Sequence, residues 1–84
     1  MKHAGPEALK QLDALIVRIR LLGALRERTP GSFYLKSSGI LHFHEDPKGM
    51  FADLKRDGEW YRVPVNTRAE QNKLIRLLTE ALGH

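Results

Sequence analysis

Eighty-four residues, 42% of them hydrophobic, suffice for one domain around one core and are too few for two. No cysteine is present, which excludes disulfide staples, thiol chemistry and cysteine-ligated zinc and fits a reducing compartment. Fourteen Lys and Arg against ten Asp and Glu leave a net charge of +4, scattered rather than run together, so acidic partners are favoured only non-specifically.

Residues 1–5 read as a loose end without the apolar run of a secretory leader. Pro6 suits the first turn of a helix, and Glu7 behind it favours the dipole. Leu9, Leu12, Leu15, Ile16, Ile19 and Leu22 then recur at helical spacing, predicting one amphipathic helix that runs on until Thr29-Pro30-Gly31 stops it. Asp13, Arg18 and Arg20 interrupt its apolar stretch, which falls short of the ~20 apolar residues a membrane span needs. No membrane association and a cytoplasmic location are therefore expected.

The middle of the chain reads as four strands separated by three turns: Ser37-Ser38-Gly39, Asp46-Pro47-Lys48-Gly49 and Asp57-Gly58. Pairing outward from them puts Phe33, Phe43, Ala52 and Val63 in one cross-strand row and Leu35, Leu41, Leu54 and Tyr61 in the next, all on one apolar face. Thr67 with Glu70 three residues on is a capping box, and Leu74, Leu77, Leu78 and Ala81 form the stripe of a last helix that Gly83 ends. The expected fold is α+β: a single domain, ordered over about residues 6–82, with order α-β-β-β-β-α. Two helices cover one face of a four-stranded antiparallel meander as a two-layer sandwich.

The same register puts Tyr34, His42, Asp53 and Arg62 in a row on the opposite face, Lys36, Ile40, Lys55 and Trp60 in a second, and His44 opposite Phe51. Tyr34, His42, His44, Phe51, Asp53, Lys55, Trp60 and Arg62 are accordingly the expected binding residues. Aromatic side chains interleaved with basic ones on an open sheet are how several modules stack bases and hold phosphates, so a nucleic acid or another acidic ligand fits. The glycine-aromatic signature of an RNA-recognition motif is missing. His42-Phe43-His44 also sets two imidazoles ~7 Å apart on one strand face, and Asp53 on the next strand makes a third potential metal ligand. A histidine-assisted enzyme is a further alternative, with His42 as acid–base group oriented by Asp53, although Ser32, Ser37 and Ser38 sit in turns or at a strand start and offer no nucleophile in context. The main expectation is a non-enzymatic binding domain with no assigned catalytic residue and no cofactor. Ala14, Val17, Leu21 and Leu25 line a second side of the first helix, which makes them the candidate seam of a homodimer.

Ser32-Phe33-Tyr34-Leu35, Leu41-His42-Phe43-His44 and Ala52-Asp53-Leu54, followed by Glu59-Trp60-Tyr61-Arg62 and the helix over 66–82, resemble a group of small bacterial proteins carrying a "luciferase domain" label. The chain lacks the helical insertion, with its own histidine, that this family places before the aromatic strand. The resemblance implies a helix–meander–helix fold in which His42, His44 and Asp53 belong to one motif; it implies no light emission. The small YjbR-type bacterial domains are similar in the same order of elements.

Overall fold

The computed structural model describes residues 2–83; Met1, part of the expected loose end, and His84 lie outside them. The elements run β1 (Lys2–His3), α1 (Pro6–Gln11), α2 (Asp13–Leu21), β2 (Arg26–Thr29), β3 (Ser32–Leu35), β4 (Ser38–Asp46), β5 (Gly49–Arg56), β6 (Glu59–Pro64) and α3 (Arg68–Ala81). The class is α+β with an open antiparallel sheet, ordered β2-β3-β4-β5-β6, to which β1 adds by pairing with β4. The helices supply Leu12, Leu15, Ile16, Ile19, Leu74 and Leu78 to one core with Phe33, Leu41, Phe43, Ala52 and Leu54 of the sheet, so they cover a single face.

Three features depart from the four-strand expectation. The first helix is two segments meeting at the wholly buried Leu12, and it stops at Leu21 rather than running to Thr29. Gly23, at φ 74°, occupies the left-handed region that ends helices, and its N–H donates to the Arg20 carbonyl. The Arg26–Thr29 segment that follows pairs with β3 as an edge strand, and Pro30-Gly31 becomes a hairpin turn rather than a helix stop. Lys2 and His3 are not loose either: they pair with Glu45 and His44, and the Glu45 carboxylate accepts from the Gly5 N–H at 2.7 Å and lies 3.6 Å from Lys2 Nζ.

The β4–β5 and β5–β6 registers match the sequence pattern: Leu41 opposes Leu54, Phe43 opposes Ala52, Ala52 opposes Val63 and Leu54 opposes Tyr61. Their turns behave as the residues dictate. Asp46 Oδ1 accepts from the Lys48 N–H at 3.0 Å, and Asp57-Gly58 takes positive φ at both positions, 53° and 80°.

The β3–β4 hairpin differs. It turns over Lys36-Ser37, with Leu35 opposite Ser38 and Tyr34 opposite Gly39, and Phe33 then faces Leu41 rather than Phe43. Ile40 is the extra residue of a β-bulge, so two side chains of β4 oppose one of β3. Ile40 is thereby in the core, 8% exposed, and not on the outer face; Leu35, expected inside, is 37% exposed at the hairpin end. Tyr61 is also half-exposed, lining an open cleft that it shares with Leu54, Asp57 and Leu77 of α3.

The last helix forms as its sequence prescribes. Thr67 Oγ1 accepts from the Glu70 N–H and Glu70 Oε1 accepts from the Thr67 N–H, both at 3.1 Å. Leu74 and Leu78 are fully buried, while Leu77 and Ala81 flank them partly covered.

Candidate binding face

No helix among the described residues covers the second face of the sheet. Its centre is a chain of rings contributed by three strands. Tyr34 on β3 meets His42 on β4 nearly edge-on, with centroids 6.4 Å apart, and His42 meets Trp60 on β6 at 5.4 Å. Tyr34 reaches His42 even though its backbone partner is Gly39: a side chain at Gly39 would meet the Tyr34 ring and His42 Nε2, each at 3.3 Å. Glycine at that position gives the two rings their room. A cation sits over each terminal ring, Arg28 over Tyr34 at 4.7 Å and Lys55 over Trp60 at 5.9 Å. Trp60 is 49% exposed, so a large apolar surface is open on this face.

Beside the rings lies a charged knot. Arg62 donates through Nε and Nη2 to both oxygens of Asp53, at 2.7 and 2.8 Å, and His44 Nε2 lies 3.0 Å from Asp53 Oδ2. The Arg62 hydrogen bonds, against an opposing burial effect, hold the Asp53 carboxyl below the usual carboxylate range, and the neighbouring His44 adds to this. His3, delivered by β1, lies 4.8 Å from His44 and 6.2 Å from His42 between ring centroids. Burial first, then the neighbouring His3 and His44, lower the His42 pKa below the ordinary histidine value. His42 Nδ1 is buried without a hydrogen-bond partner among the described residues, so a second ring proton there would have no acceptor from them. Near neutral pH the central ring is therefore an uncharged aromatic surface rather than a cation.

The structure brings Tyr34, His42, His44, Asp53, Lys55, Trp60 and Arg62 together, with Phe51 opposite His44 at the far end of the face. Lys36 stands in the hairpin turn rather than in a row with Lys55. Asp53 orients His44, not His42 as the acid–base alternative requires, although His42 is its backbone partner. Both Asp53 oxygens are already engaged by Arg62, and among the described residues no group of three or more His, Cys, Asp or Glu side chains is arranged to hold a metal ion.

His3, Arg26 and Arg28 are additional members of the face. Pro30-Gly31 is a turn signal that could have pointed to the two arginines, but Arg26-Glu27-Arg28-Thr29 before it has no apolar alternation to announce a strand. No local pattern announces His3, because its place depends on pairing with residues some forty positions away.

Of the expected homodimer seam, Ala14, Val17 and Leu21 are exposed on α2, Leu21 at 79%. Leu25 is not on the helix at all; it follows the Gly23 turn and packs partly against the core. No helix among the described residues is long and apolar enough to cross a membrane. No family model matches the chain, and neither does any curated protein or solved structure.

Proposed function

We propose that this protein is a non-enzymatic binding domain whose open sheet face holds single-stranded nucleic acid. The observation that carries the reading is the continuous Tyr34–His42–Trp60 row with a cation over each end. Stacking of bases on such rings contributes about 1–3 kcal/mol per base whatever the base, and basic side chains beside the rings neutralise the phosphates. An uncharged His42 suits this role, since it fills the space between the two larger rings with an aromatic group, tilted 85° to Tyr34 and 44° to Trp60, and adds no charge. The Asp53–Arg62–His44 knot fixes the neighbouring strands and takes no part in acid–base chemistry in this reading.

The test is a fluorescence titration with the deoxythymidine octamer at low salt, read on Trp60, the only tryptophan. Quenching is expected, and Trp60→Ala, followed by polarisation of a labelled octamer, is expected to weaken binding roughly five- to a hundredfold. An octamer that leaves Trp60 emission unchanged refutes the reading. A second, independent proposal is self-association through Ala14, Val17 and Leu21, supported by the exposure of Leu21 on a helix side that no part of the described chain covers.

A further inference from the structure

Tyr34 is the common wall of two clefts that differ in electrical character. One, of roughly 420 Å³, opens between β1 and the β2–β3 turn; among its lining residues are His3, Thr29, Pro30, Ser32, His42 and Phe43, and none is Lys, Arg, Asp or Glu. The other, of roughly 660 Å³, is also lined by Tyr34 but lies toward the other end of β3, between the loop after α2 and the β3–β4 turn, and it includes Leu25, Arg26 and Lys36. Both volumes fall in the range of small-ligand sites, about 300–1,000 Å³. The neutral cleft combines aromatic and apolar walls with two hydroxyl groups, Thr29 and Ser32, and suits a flat uncharged heterocycle. The basic cleft offers two cations and no acidic side chain, and suits a phosphate. Arg28, stacked on the Tyr34 ring, adds a third positive charge at the dividing wall.

Two structural irregularities make this arrangement. β3 and β1 share one edge of β4 end to end, β3 pairing as far as Leu41 and β1 beginning at His44, and the neutral cleft lies over the gap between them, with His42 and Phe43 in its lining. The early helix stop at Gly23 releases Leu25 and Arg26 from the helix and places them beside Tyr34.

We infer that the two clefts together form one nucleotide subsite, the base entering the neutral cleft and the phosphate the basic one, with Tyr34 between. The inference deepens the nucleic-acid reading and rests on it: a strand crossing the ring row is anchored at the Tyr34 end by one nucleotide held in a fixed orientation.

The experiment uses the full chain and amide NMR shifts, with adenosine, inorganic phosphate, adenosine 5′-monophosphate and the deoxythymidine octamer as probes. Adenosine is expected to shift the Gly31 and Ser32 amides, phosphate those of Arg26 and Lys36, and the monophosphate both sets. His3→Ala, which removes one wall of the neutral cleft, and Arg26→Gln are each expected to weaken octamer binding roughly threefold to tenfold while leaving Trp60 quenching at saturation intact. Quenching of Trp60 by the octamer with all four amides unmoved overturns the subsite and leaves the ring platform standing. Amide shifts at both clefts without Trp60 quenching support the subsite and overturn the platform. Silence of all four amides and of Trp60 overturns both.

Discussion

Asp53 is the one acidic side chain of the ring-and-knot cluster, and replacing it separates stability from binding. In Asp53→Asn the side chain keeps its shape but loses its charge, and its amide nitrogen cannot accept from Arg62. The paired arrangement, at 2.7 and 2.8 Å with a further contact from His44 at 3.0 Å, then falls to one amide oxygen accepting from the Arg62 cation, without the carboxylate charge. The folded protein loses stability, and the loss has a defined pH dependence. Because the Asp53 pKa is lowered on folding by Arg62, its contribution is fully present above the unfolded-chain value of about 3.9 and disappears as pH falls through the lower folded value. The variant therefore has a lower thermal midpoint at neutral pH and a flatter acid limb. Binding moves the opposite way. Arg62, half-exposed, is released to meet a phosphate. One more phosphate contact steepens the salt dependence of single-strand binding by about 0.7 in the log–log slope, which amounts to roughly eightfold tighter binding at 50 mM salt relative to 1 M. Octamer titrations across a salt series, with thermal melts of the same samples, read both effects. A variant that is less stable and also binds more weakly, with an unchanged salt slope, refutes the reasoning, since a purely structural role for the knot gives that result.

Three other outcomes are expected. The His42 imidazole titrates below the ordinary histidine midpoint in a proton NMR pH series; its share of stability is complete above the unfolded value of about 6.5 and declines as pH falls toward the folded one, so His42→Phe flattens the melting profile between neutral pH and pH 5. Lys36 holds φ at 57° in a two-residue turn, and Lys36→Gly relieves that strain, raising stability by about 0.5–1 kcal/mol in urea melts while weakening octamer binding through the lost cation. Light scattering at rising concentration shows a dimer mass that Leu21→Glu returns to a monomer; a parent chain that stays monomeric throughout disposes of the self-association proposal.

What the sequence makes legible follows from how local each signal is. The pairings of β4, β5 and β6 are readable because Asp46-Pro47-Lys48-Gly49 and Asp57-Gly58 admit one turn geometry each, and the alternation on both sides agrees with them. The capping box of α3 is equally local. The β3–β4 pairing is not, because a left-handed Lys36 and a bulge at Ile40 cancel each other's effect on side-chain direction, and only tertiary packing favours that combination over the plainer turn. Arg26–Thr29 reads as helix by continuity, since a charged edge strand has no apolar alternation to distinguish it. Tyr34, His42, Asp53 and Arg62 could be gathered on one face from parity alone. The assignment of Asp53 to His44, the approach of His3, and the division into two clefts by Tyr34 all depend on side-chain reach across non-adjacent residues, which parity does not contain.

The Ile40 bulge gives the β3–β4 hairpin one residue of slack. Deleting Ile40 leaves Leu35 opposite Ser38 and Tyr34 opposite Gly39, and brings Leu41 into the next position opposite Phe33 without turning any later residue over. A deletion elsewhere in β4 exchanges the core and outer faces for every residue on one side of it. This hairpin is thus the point in the sheet where chain length can change by one while the ring row persists, the loss being one buried aliphatic side chain. A Tyr34–His42 proton contact retained in the Ile40 deletion variant, at reduced stability, is the observation that checks it.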